Sequence, residues 1–351
     1  MLKIRTLLYI PILFIPGLLF AGAANPNISV IGQFISNSTD DKTSQDKNTP
    51  TLGLGETEIQ CDAPLNPYSS GVFVFSIDNG QFSVEEAYIN IFNGLPDGFA
   101  VKAGKYRIGF GKLNPVHPHD YAFITAPRVM ASMLPGDDGY DDTGAQLSYL
   151  FPTPGSWASN LSFDVLNGSS FHPDQTKTAN AWVGRWTNSF LINDITPLDI
   201  GFSATEGTND TDFNTKTKVY GLDIKTKIPV SPSQVLTLQG EYFYNDSDVL
   251  VDSNSLTGDY NRVGRRGFYA FANMKFSTRW NGGAIYDQYQ PADNTSLTDS
   301  ALKYFVGYSF LEETTVLRLA YEDFMPQDSP DVHTWSFQLL FMMGPHKAHQ
   351  F

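Results

Sequence analysis

Cysteine is nearly absent from this chain, since Cys61 is the only one in 351 residues. A lone cysteine excludes a disulfide framework within one chain, so stability has to come from backbone hydrogen bonds and packing. Cations are also scarce, with 23 lysines and arginines against 37 aspartates and glutamates. So acidic a balance gives no support for nucleic-acid binding.

Long apolar runs are missing after residue 24. A helix that crosses a bilayer needs about 20 consecutive apolar residues. The first 23 residues instead have the pattern of a cleaved secretory signal, with Lys3 and Arg5 before a short apolar stretch and small residues at 21–23. No linker divides the remainder, so we predict a signal peptide over 1–23 and a single exported domain over 24–351.

Aromatic residues are plentiful, at 14% of the chain, while charged residues reach only 17%. The last long segment shows how the aromatics are arranged, because Trp335, Phe337 and Phe341 hold odd positions while Ser336 and Gln338 begin the even set. A segment that alternates with period two shows one face to one solvent and the other face to another. The odd face is too aromatic for water and predicts contact with lipid.

Segments of about ten residues with this alternation recur along the chain, as membrane-spanning strands require. We predict strands near 27–34, 53–62, 70–78, 83–92, 99–110, 142–151, 158–167, 181–190, 197–205, 218–228, 235–245, 267–277, 280–289, 301–310, 315–324 and 334–343. Short turns alternate with longer polar loops, which is typical of an outer-membrane barrel whose short turns and two termini face the periplasm. The predicted fold is all-β, a transmembrane antiparallel up-and-down β-barrel of about 16 strands, or 14 if 27–34 does not span.

A soluble β-sandwich would show the same alternation with inside and outside exchanged. Tryptophan and tyrosine near the segment ends favour the barrel, because interfacial girdles place them there. A barrel of this size is too wide for its own side chains to fill and leaves an aqueous channel. We therefore predict a porin-like channel for passive diffusion of ions and small hydrophilic solutes.

Charged residues on the face opposite the aromatics are the predicted lining of this pore. Acidic loops would attract cations, whereas the mixed and slightly basic wall would set selectivity at a constriction, and the two effects oppose each other. The predicted pore-lining residues are Lys105, Arg107, Arg185, Asp223, Lys225, Glu241, Arg318 and Glu322.

One stretch, 111–140, has no strand pattern, and loops of that length in a compact domain tend to be functional. Its apolar middle, Phe123-Ile124 and 129–134, favours burial over exposure as an adhesive patch. Two interpretations are open: a constriction loop folded into the lumen, or a cap packed on neighbouring loops.

His117, His119 and Asp120 in this stretch are candidate ligands for zinc or another divalent cation. Two histidines with one residue between them place their imidazoles on the same side of an extended segment, which gives a partial site. A turn shaped by prolines is the alternative, so no resident cofactor is predicted and the divalent cation stays open. Oxygen ligands to complete the site are available from Asp137, Asp138, Asp141 and Asp142.

Several motifs together resemble a porin-like outer-membrane β-barrel family whose members are often labelled zinc-regulated TonB-dependent outer-membrane proteins. These motifs are GLGETE at 53–58, EEAYI at 85–89, KAGK at 102–105, FGKLNP at 110–115, HPH at 117–119 and HKAHQF at 346–351. The resemblance implies the outer membrane of a Gram-negative bacterium and a link to zinc or other small solutes. A plugged TonB-dependent receptor has 22 strands, which a chain of this length cannot supply together with a plug, so energised transport is not expected.

The terminal Phe351 resembles the aromatic signal that the barrel assembly machinery recognises, and we expect His346 and His349 beside it to stay hydrated. Other expected partners are outer-membrane lipid, lipopolysaccharide, small solutes and, by analogy with porins, further copies of this chain. The alternative function is a substrate-specific uptake component for zinc or another divalent metal.

An enzyme is not predicted. Hydrolysis by histidine and carboxylate needs both groups together at one rim. No nucleophile-elbow or phosphate-loop pattern accompanies the loop candidates outside 111–140, which are His333 beside Asp328 and Asp331, and His172 beside Asp174.

Overall fold

The computed structural model describes residues 25–78, 80–136, 139–172, 179–250, 260–310 and 314–345. These residues form one antiparallel sheet with a single short α-helix and two turns of 3-10 helix. Several sequence predictions fall outside the described residues, namely the signal peptide over 1–23, Asp137, Asp138, Asp174, His346, His349 and the assembly signal Phe351.

Seventeen β-strands make up the described sheet. They are β1 Asn27–Thr39, β2 Thr51–Leu54, β3 Thr57–Asn66, β4 Ser69–Asp78, β5 Gln81–Ile91, β6 Phe99–Arg107, β7 Asp141–Phe151, β8 Ala158–Leu166, β9 Ala181–Ile192, β10 Thr196–Asp210, β11 Thr215–Ser231, β12 Gln234–Leu250, β13 Tyr260–Lys275, β14 Trp280–Tyr289, β15 Asp299–Ser309, β16 Thr315–Met325 and β17 Val332–Met343. Helix α1 spans Arg128–Met133, and the 3-10 turns span Pro118–Asp120 and Ser169–Phe171.

The sheet closes on itself through β1. One edge of β1 pairs with β17, from Val30 opposite Met343 to Thr39 opposite Thr334. The other edge pairs with β2 and then β3, which follow each other along β1 with a break at 55–56 and so count as one strand of the wall. The result is a closed antiparallel barrel of sixteen strands, which confirms the predicted fold class and strand number.

The two faces of the wall differ as the alternation predicted. In β17, Trp335 is 53% exposed and Phe341 39% exposed on the outer surface, whereas Ser336 and Gln338 are buried towards the lumen. The outer face carries the same kind of residue all round, including Phe163 and other half-exposed aromatics. In the part of the chain that the structure describes, no helix is long and apolar enough to cross a membrane.

Two predicted loops are partly strand. The loop predicted over 206–217 shortens to the residues between Asp210 and Thr215, and the one predicted over 246–266 loses residues to β12 and β13, which run to Leu250 and from Tyr260. Both hairpins extend at the end of the barrel that carries the long loops, hereafter the long-loop end. Polar side chains occupy both faces there, so the apolar alternation that marks a membrane strand is missing although the backbone pairing continues.

Candidate functional site

The segment between β6 and β7 folds into the barrel. Its backbone and side chains bond to inward-facing groups on well-separated strands: Leu113 donates to Glu241 on β12 at 2.8 Å, Arg128 donates through its backbone to Asp287 on β14 at 3.0 Å, and Arg318 on β16 donates to the carbonyl of His119 at 3.3 Å. The described part of 111–140 therefore lies inside the barrel, as the first of the two interpretations expected, and its role as a constriction stays a prediction.

Glu241 anchors the start of this loop. Its carboxylate accepts the backbone N–H of Lys112 at 3.0 Å and that of Leu113 at 2.8 Å, and also the hydroxyl of Tyr269 at 2.5 Å. Gly111 makes this approach feasible, because it has a φ of 67° and a Cβ there would lie 1.8 Å from an oxygen of Glu241. The loop therefore begins at a buried carboxylate that only a glycine can approach so closely.

The apolar middle of the loop packs on the inner wall. Phe123 meets Phe271 and Phe305 edge-on, with ring centroids 5.6 and 5.7 Å apart. Val129 and Met133 of α1 are fully buried in the same cluster. Aromatic pairs of this kind contribute about 0.5–1.5 kcal/mol each beyond the area they bury. The apolar residues that sequence analysis assigned to burial thus hold the loop against β13 and β15.

Charged residues hold the other side of α1. Arg128 pairs with Glu322, and its guanidinium lies 4.0 Å from the ring centre of Phe324. Lys303 donates to the carbonyl of Ala126 at 2.7 Å and lies 3.2 Å from Glu322. Because these groups are buried or half-buried, each needs its partner, so the wall and the loop are held together by both apolar and ionic contacts.

The predicted pore-lining charges therefore divide into groups with different partners. Glu241, Glu322 and Arg318 bind the loop, and Arg318 also donates to Gln338 at 2.9 Å. Arg185 and Asp223 bind each other. All five face the lumen, yet their charges are used to hold the structure together.

Lys105 lies on the outer face, contrary to the prediction. It is opposite Thr143 in the ladder, on the same face of β7 as the half-exposed Leu147, and its ammonium pairs with Asp141 at 3.0 Å. Lys102 is the inward lysine, with its ammonium 4.7 Å from the ring centre of Tyr88. The two lysines are three positions apart, so the strand period of two places them on opposite faces.

Two cavities lie on opposite sides of the loop. The long-loop cavity has a volume of about 950 Å³ and is lined by Glu56, Glu85, Arg107, Arg128 and Glu322 among others. The short-turn cavity, at the other end, has a volume of about 250 Å³ and is lined by Glu86, Lys112, His117, Phe271 and Lys225 among others.

Tyr121 contributes to both cavities, so the segment around it separates them. Burial raises the pKa of Tyr121 to about 12, and its phenol stays neutral at physiological pH. Of the predicted lining residues, Arg107 borders the long-loop cavity and Lys225 borders the short-turn cavity.

A cluster of histidine and carboxylate groups lies at this separating segment. Glu58 on β3 contacts both histidines, with one oxygen 3.3 Å from Nδ1 of His117 and the other 2.8 Å from Nδ1 of His119. The second ring nitrogens also face carboxylates, since Nε2 of His117 lies 3.2 Å from Glu86 and Nε2 of His119 lies 3.3 Å from Asp120. Glu58 and His119 are each 3% exposed.

The electrostatics of the cluster favour the charged form of His117. Burial opposes protonation of His117, but the hydrogen bond to Glu86 and the negative charge of Glu58 outweigh it, so the pKa of His117 is raised above its ordinary value. Donor atoms of Glu58, His117 and His119 all lie within 4.8 Å of one another, close enough to share one metal ion.

The structure thus brings together His117 and His119 of the predicted metal set. Asp120 lies beside Nε2 of His119, the ring nitrogen that does not face Glu58. The proposed completion by neighbouring aspartates is wrong for Asp141, which pairs with Lys105, and for Asp142, which accepts the N–H of Gly168 at 2.7 Å.

Sequence analysis did not assign Glu58 and Glu86 to this cluster. Glu58 lies 61 residues before His119 in the chain, and only the closure of the barrel beside the folded loop brings them together. The one available signal was that both glutamates occur in strand segments that otherwise alternate, where a charged residue has to face the lumen.

Of the two histidine and acid pairs considered for hydrolysis, only the one at His333 lies within the described residues, because Asp174 falls outside them. In the described residues, His333 contacts Asp323 at 3.2 Å and the hydroxyl of Tyr321 at 3.0 Å instead of Asp328 or Asp331. His172 is buried beside the 3-10 turn.

Comparison with known proteins shows the fold. No family model matches the sequence. An uncharacterized protein of Aquifex aeolicus (strain VF5) is 28% identical over 335 residues, covering 86% of this chain and 70% of that protein. The outer-membrane channel DcaP of Acinetobacter baumannii superposes with a TM-score of 0.63 at 11% identity, covering 92% of this chain and 98% of DcaP.

Two further structures are similar. The anion-selective porin of Comamonas acidovorans has a TM-score of 0.61 at 10% identity, covering 91% of this chain and 100% of that porin. The trimer form of OmpT, an outer-membrane protein of Vibrio cholerae, has a TM-score of 0.58 at 11% identity, covering 91% and 99%. The chain has the fold of an outer-membrane porin. None of these similarities supports the zinc-regulated, TonB-dependent label, so that part of the resemblance stays a prediction.

Proposed function

We propose that the chain is an outer-membrane channel for passive diffusion of ions and small hydrophilic solutes, with 111–140 as its constriction. The observation that carries this proposal is the pair of cavities at opposite ends of a closed barrel, separated by the segment around Tyr121. A loop folded inward narrows a lumen that sixteen strands alone would leave wide.

Charge along this path is uneven. The long-loop cavity has Glu56, Glu85 and Glu322 among its lining residues, whereas the short-turn cavity has Lys112 and Lys225. Glu86 and Asp120 accompany those two lysines, and cations accompany the acids of the long-loop cavity in smaller number. Solutes that enter from the long-loop end therefore meet a net acidic region before the constriction and a region of mixed charge after it. We expect weak ion selectivity that depends on ionic strength.

The location and partners follow from the same barrel. An aromatic outer face suits outer-membrane lipid, and acidic loops suit divalent cations held beside lipopolysaccharide. We place the short turns and both termini in the periplasm of a Gram-negative bacterium, with Phe351 as the signal for the barrel assembly machinery. The trimer form of OmpT supports a homo-oligomer of this chain as well.

A second function is favoured by one observation, the meeting of His117, His119 and Glu58 beside the constriction. In this alternative the chain is a substrate-specific uptake component for zinc or another divalent metal. Transport would then saturate at a metal concentration set by those residues, whereas a diffusion channel conducts in proportion to salt.

Single-channel recording in planar bilayers tests both functions. Folded protein should give a stable open conductance in potassium chloride, with a small reversal potential under a salt gradient. If the conductance is unchanged by added zinc, passive diffusion is supported and the metal-specific alternative is rejected. If zinc blocks the current at low concentration, and His117→Ala with His119→Ala abolishes the block, the metal-specific alternative is supported. A folded barrel without conductance would contradict the channel itself.

A further inference from the structure

The cluster at the constriction has the arrangement of a metal centre. We propose that Glu58, His117 and His119 bind one divalent transition-metal ion of the zinc class, and that this ion fastens the constriction loop to β3. This proposal does not depend on which solute passes through the barrel, since the site would bind metal whether or not the lumen conducts.

The donor atoms are close enough together for such a site, since all lie within 4.8 Å of one another. Zinc bonds to histidine nitrogen and carboxylate oxygen at about 2.0–2.2 Å in a tetrahedron, which puts neighbouring ligand atoms about 3.3 Å apart. The oxygens of Glu58 lie 3.3 Å from Nδ1 of His117 and 2.8 Å from Nδ1 of His119. Two nitrogens and one carboxylate are a donor set that zinc prefers, and calcium or magnesium would take more oxygen.

The surrounding carboxylates provide independent support. A histidine that binds metal through one ring nitrogen generally donates its other N–H to a carboxylate, which fixes the tautomer and the orientation of the ring. His117 has that arrangement, because its Nε2 is hydrogen-bonded to Glu86 at 3.2 Å. Nε2 of His119 lies 3.3 Å from Asp120, which is an ion-pair contact without hydrogen-bond geometry. Each imidazole thereby turns its Nδ1 towards Glu58, where a metal ion would take the place of the proton that the nitrogen shares with the carboxylate. Asp120 then orients a ligand and is not one itself.

The site is both held and accessible. Arg318 donates to the carbonyl of His119 at 3.3 Å, which fixes the backbone at the second histidine to β16. His117 and Glu86 also line the short-turn cavity, so a small ion can reach the cluster and a water can occupy the fourth position. Three protein ligands would thus hold the ion, and a water would complete the tetrahedron.

Metal at this position would join two distant parts of the chain. Glu58 belongs to the barrel wall, whereas His117 and His119 belong to the loop. An ion that binds only when the loop is docked stabilises the docked state by mass action. The metal would therefore act as a brace that restricts motion of the constriction.

Equilibrium dialysis of the folded full-length protein in detergent tests the site, with Co²⁺ as a visible probe after Zn²⁺. All samples carry Cys61→Ser, so that no thiol binds the metal. We expect one ion per chain and a Co²⁺ absorption spectrum of a four-coordinate nitrogen and oxygen site. Glu58→Gln, and separately His117→Ala with His119→Ala, should abolish the spectrum.

Matched variants distinguish ligands from other histidines and from unfolding. Glu86→Gln keeps every ligand and should weaken Zn²⁺ binding about 10–100-fold, as loss of an orienting carboxylate does. His333→Ala removes a histidine elsewhere in the barrel and should leave the affinity unchanged, as should His346→Ala with His349→Ala in the tail. Absence of Zn²⁺ binding, or an affinity that only the tail variant lowers, would overturn the proposal. Either result is independent of the conductance measurement.

Discussion

Arg185 on β9 and Asp223 on β11 form a two-bond ion pair across the strand between them, with N–O distances of 2.8 and 3.2 Å. Gly201 on the intervening β10 makes room for it, since a Cβ there would lie 2.4 Å from Asp223. Both side chains are buried, and the hydroxyl of Ser203 accepts a further bond from Arg185 at 2.6 Å. Two charges that the sequence assigned to the pore wall therefore neutralise each other.

Replacing one member of this ion pair should lower the free energy of unfolding far more than replacing both members. Arg185→Met leaves the Asp223 carboxylate buried without its cation, which we expect to lower the free energy of unfolding by roughly 3–5 kcal/mol. Arg185→Met with Asp223→Leu removes both charges and should cost much less. Denaturant unfolding in detergent measures both. Equal losses for the single and double variants would show that the pair is solvated in solution.

Gly111 and Gly80 provide a matched test of how the loop is anchored. Both have positive φ, 67° and 77°, but a Cβ at Gly111 would strike Glu241, whereas one at Gly80 meets nothing within 4 Å. Gly80→Ala should cost only the backbone strain of about 1–2 kcal/mol. Gly111→Ala should cost more and should also disturb the open-channel current, because the Glu241 anchor is displaced. If both variants lose the same stability and the open-channel current of Gly111→Ala is undisturbed, Glu241 does not hold the loop.

Arg128 and Arg262 test the ionic side of the docking. Each pairs with a carboxylate. Arg128 in the loop pairs with Glu322 on the barrel wall, and Arg262 pairs with Asp246 in the exposed hairpin of β12 and β13. Arg128→Ala should release α1 from the wall and give a larger and noisier conductance. Arg262→Ala removes an exposed pair, which is worth about 0–1 kcal/mol, and should leave the conductance unchanged. Identical recordings from both variants would contradict a constriction held by Arg128.

Lys225 and Lys105 test which lysines the permeating ions encounter. Lys225 borders the short-turn cavity, whereas Lys105 lies on the outer face beside Asp141. Lys225→Gln should shift the reversal potential towards cation selectivity, and Lys105→Gln should not. The shift should be greater at 0.1 M than at 1 M salt, because the screening length falls from about 10 Å to about 3 Å. A shift from Lys105→Gln of the same size would mean that distant surface charge sets the selectivity.

The same two lysines show how far sequence could predict this molecule. Alternation of lipid-facing and lumen-facing residues is a local property, so the barrel and its strand number could be predicted from segments such as 335–343. That alternation is lost at the long-loop end, so the ends of β10 to β13 were predicted as loops at 206–217 and 246–266. Within one strand, a single error of register assigns a residue to the wrong face, as happened for Lys105.

Contacts between the loop and the wall were harder to predict. His117 and His119 are close in sequence and suggested a metal site. Glu58 is in β3, far earlier in the chain, and it contacts them only when the loop folds into the closed barrel. Glu241 and Arg318 were predicted to line the pore, and in the structure both bond to the loop. Their use in docking depends on where the loop lies, which alternation does not specify.

Phe123 gives the last prediction, on the apolar side of the docking. Its ring packs against Phe271 and Phe305 inside the barrel, whereas Phe163 is 50% exposed on the outer face. Phe123→Ala should destabilise the protein by about 3–5 kcal/mol, as loss of a buried phenylalanine does, and should raise the conductance because the loop loses its main apolar contact. Phe163→Ala changes the same residue type at the lipid surface and should leave the conductance as it is. If Phe123→Ala lowers stability while the current stays the same, the loop packs on β13 and β15 without setting the width of the passage, and the constriction would have to lie elsewhere along the lumen.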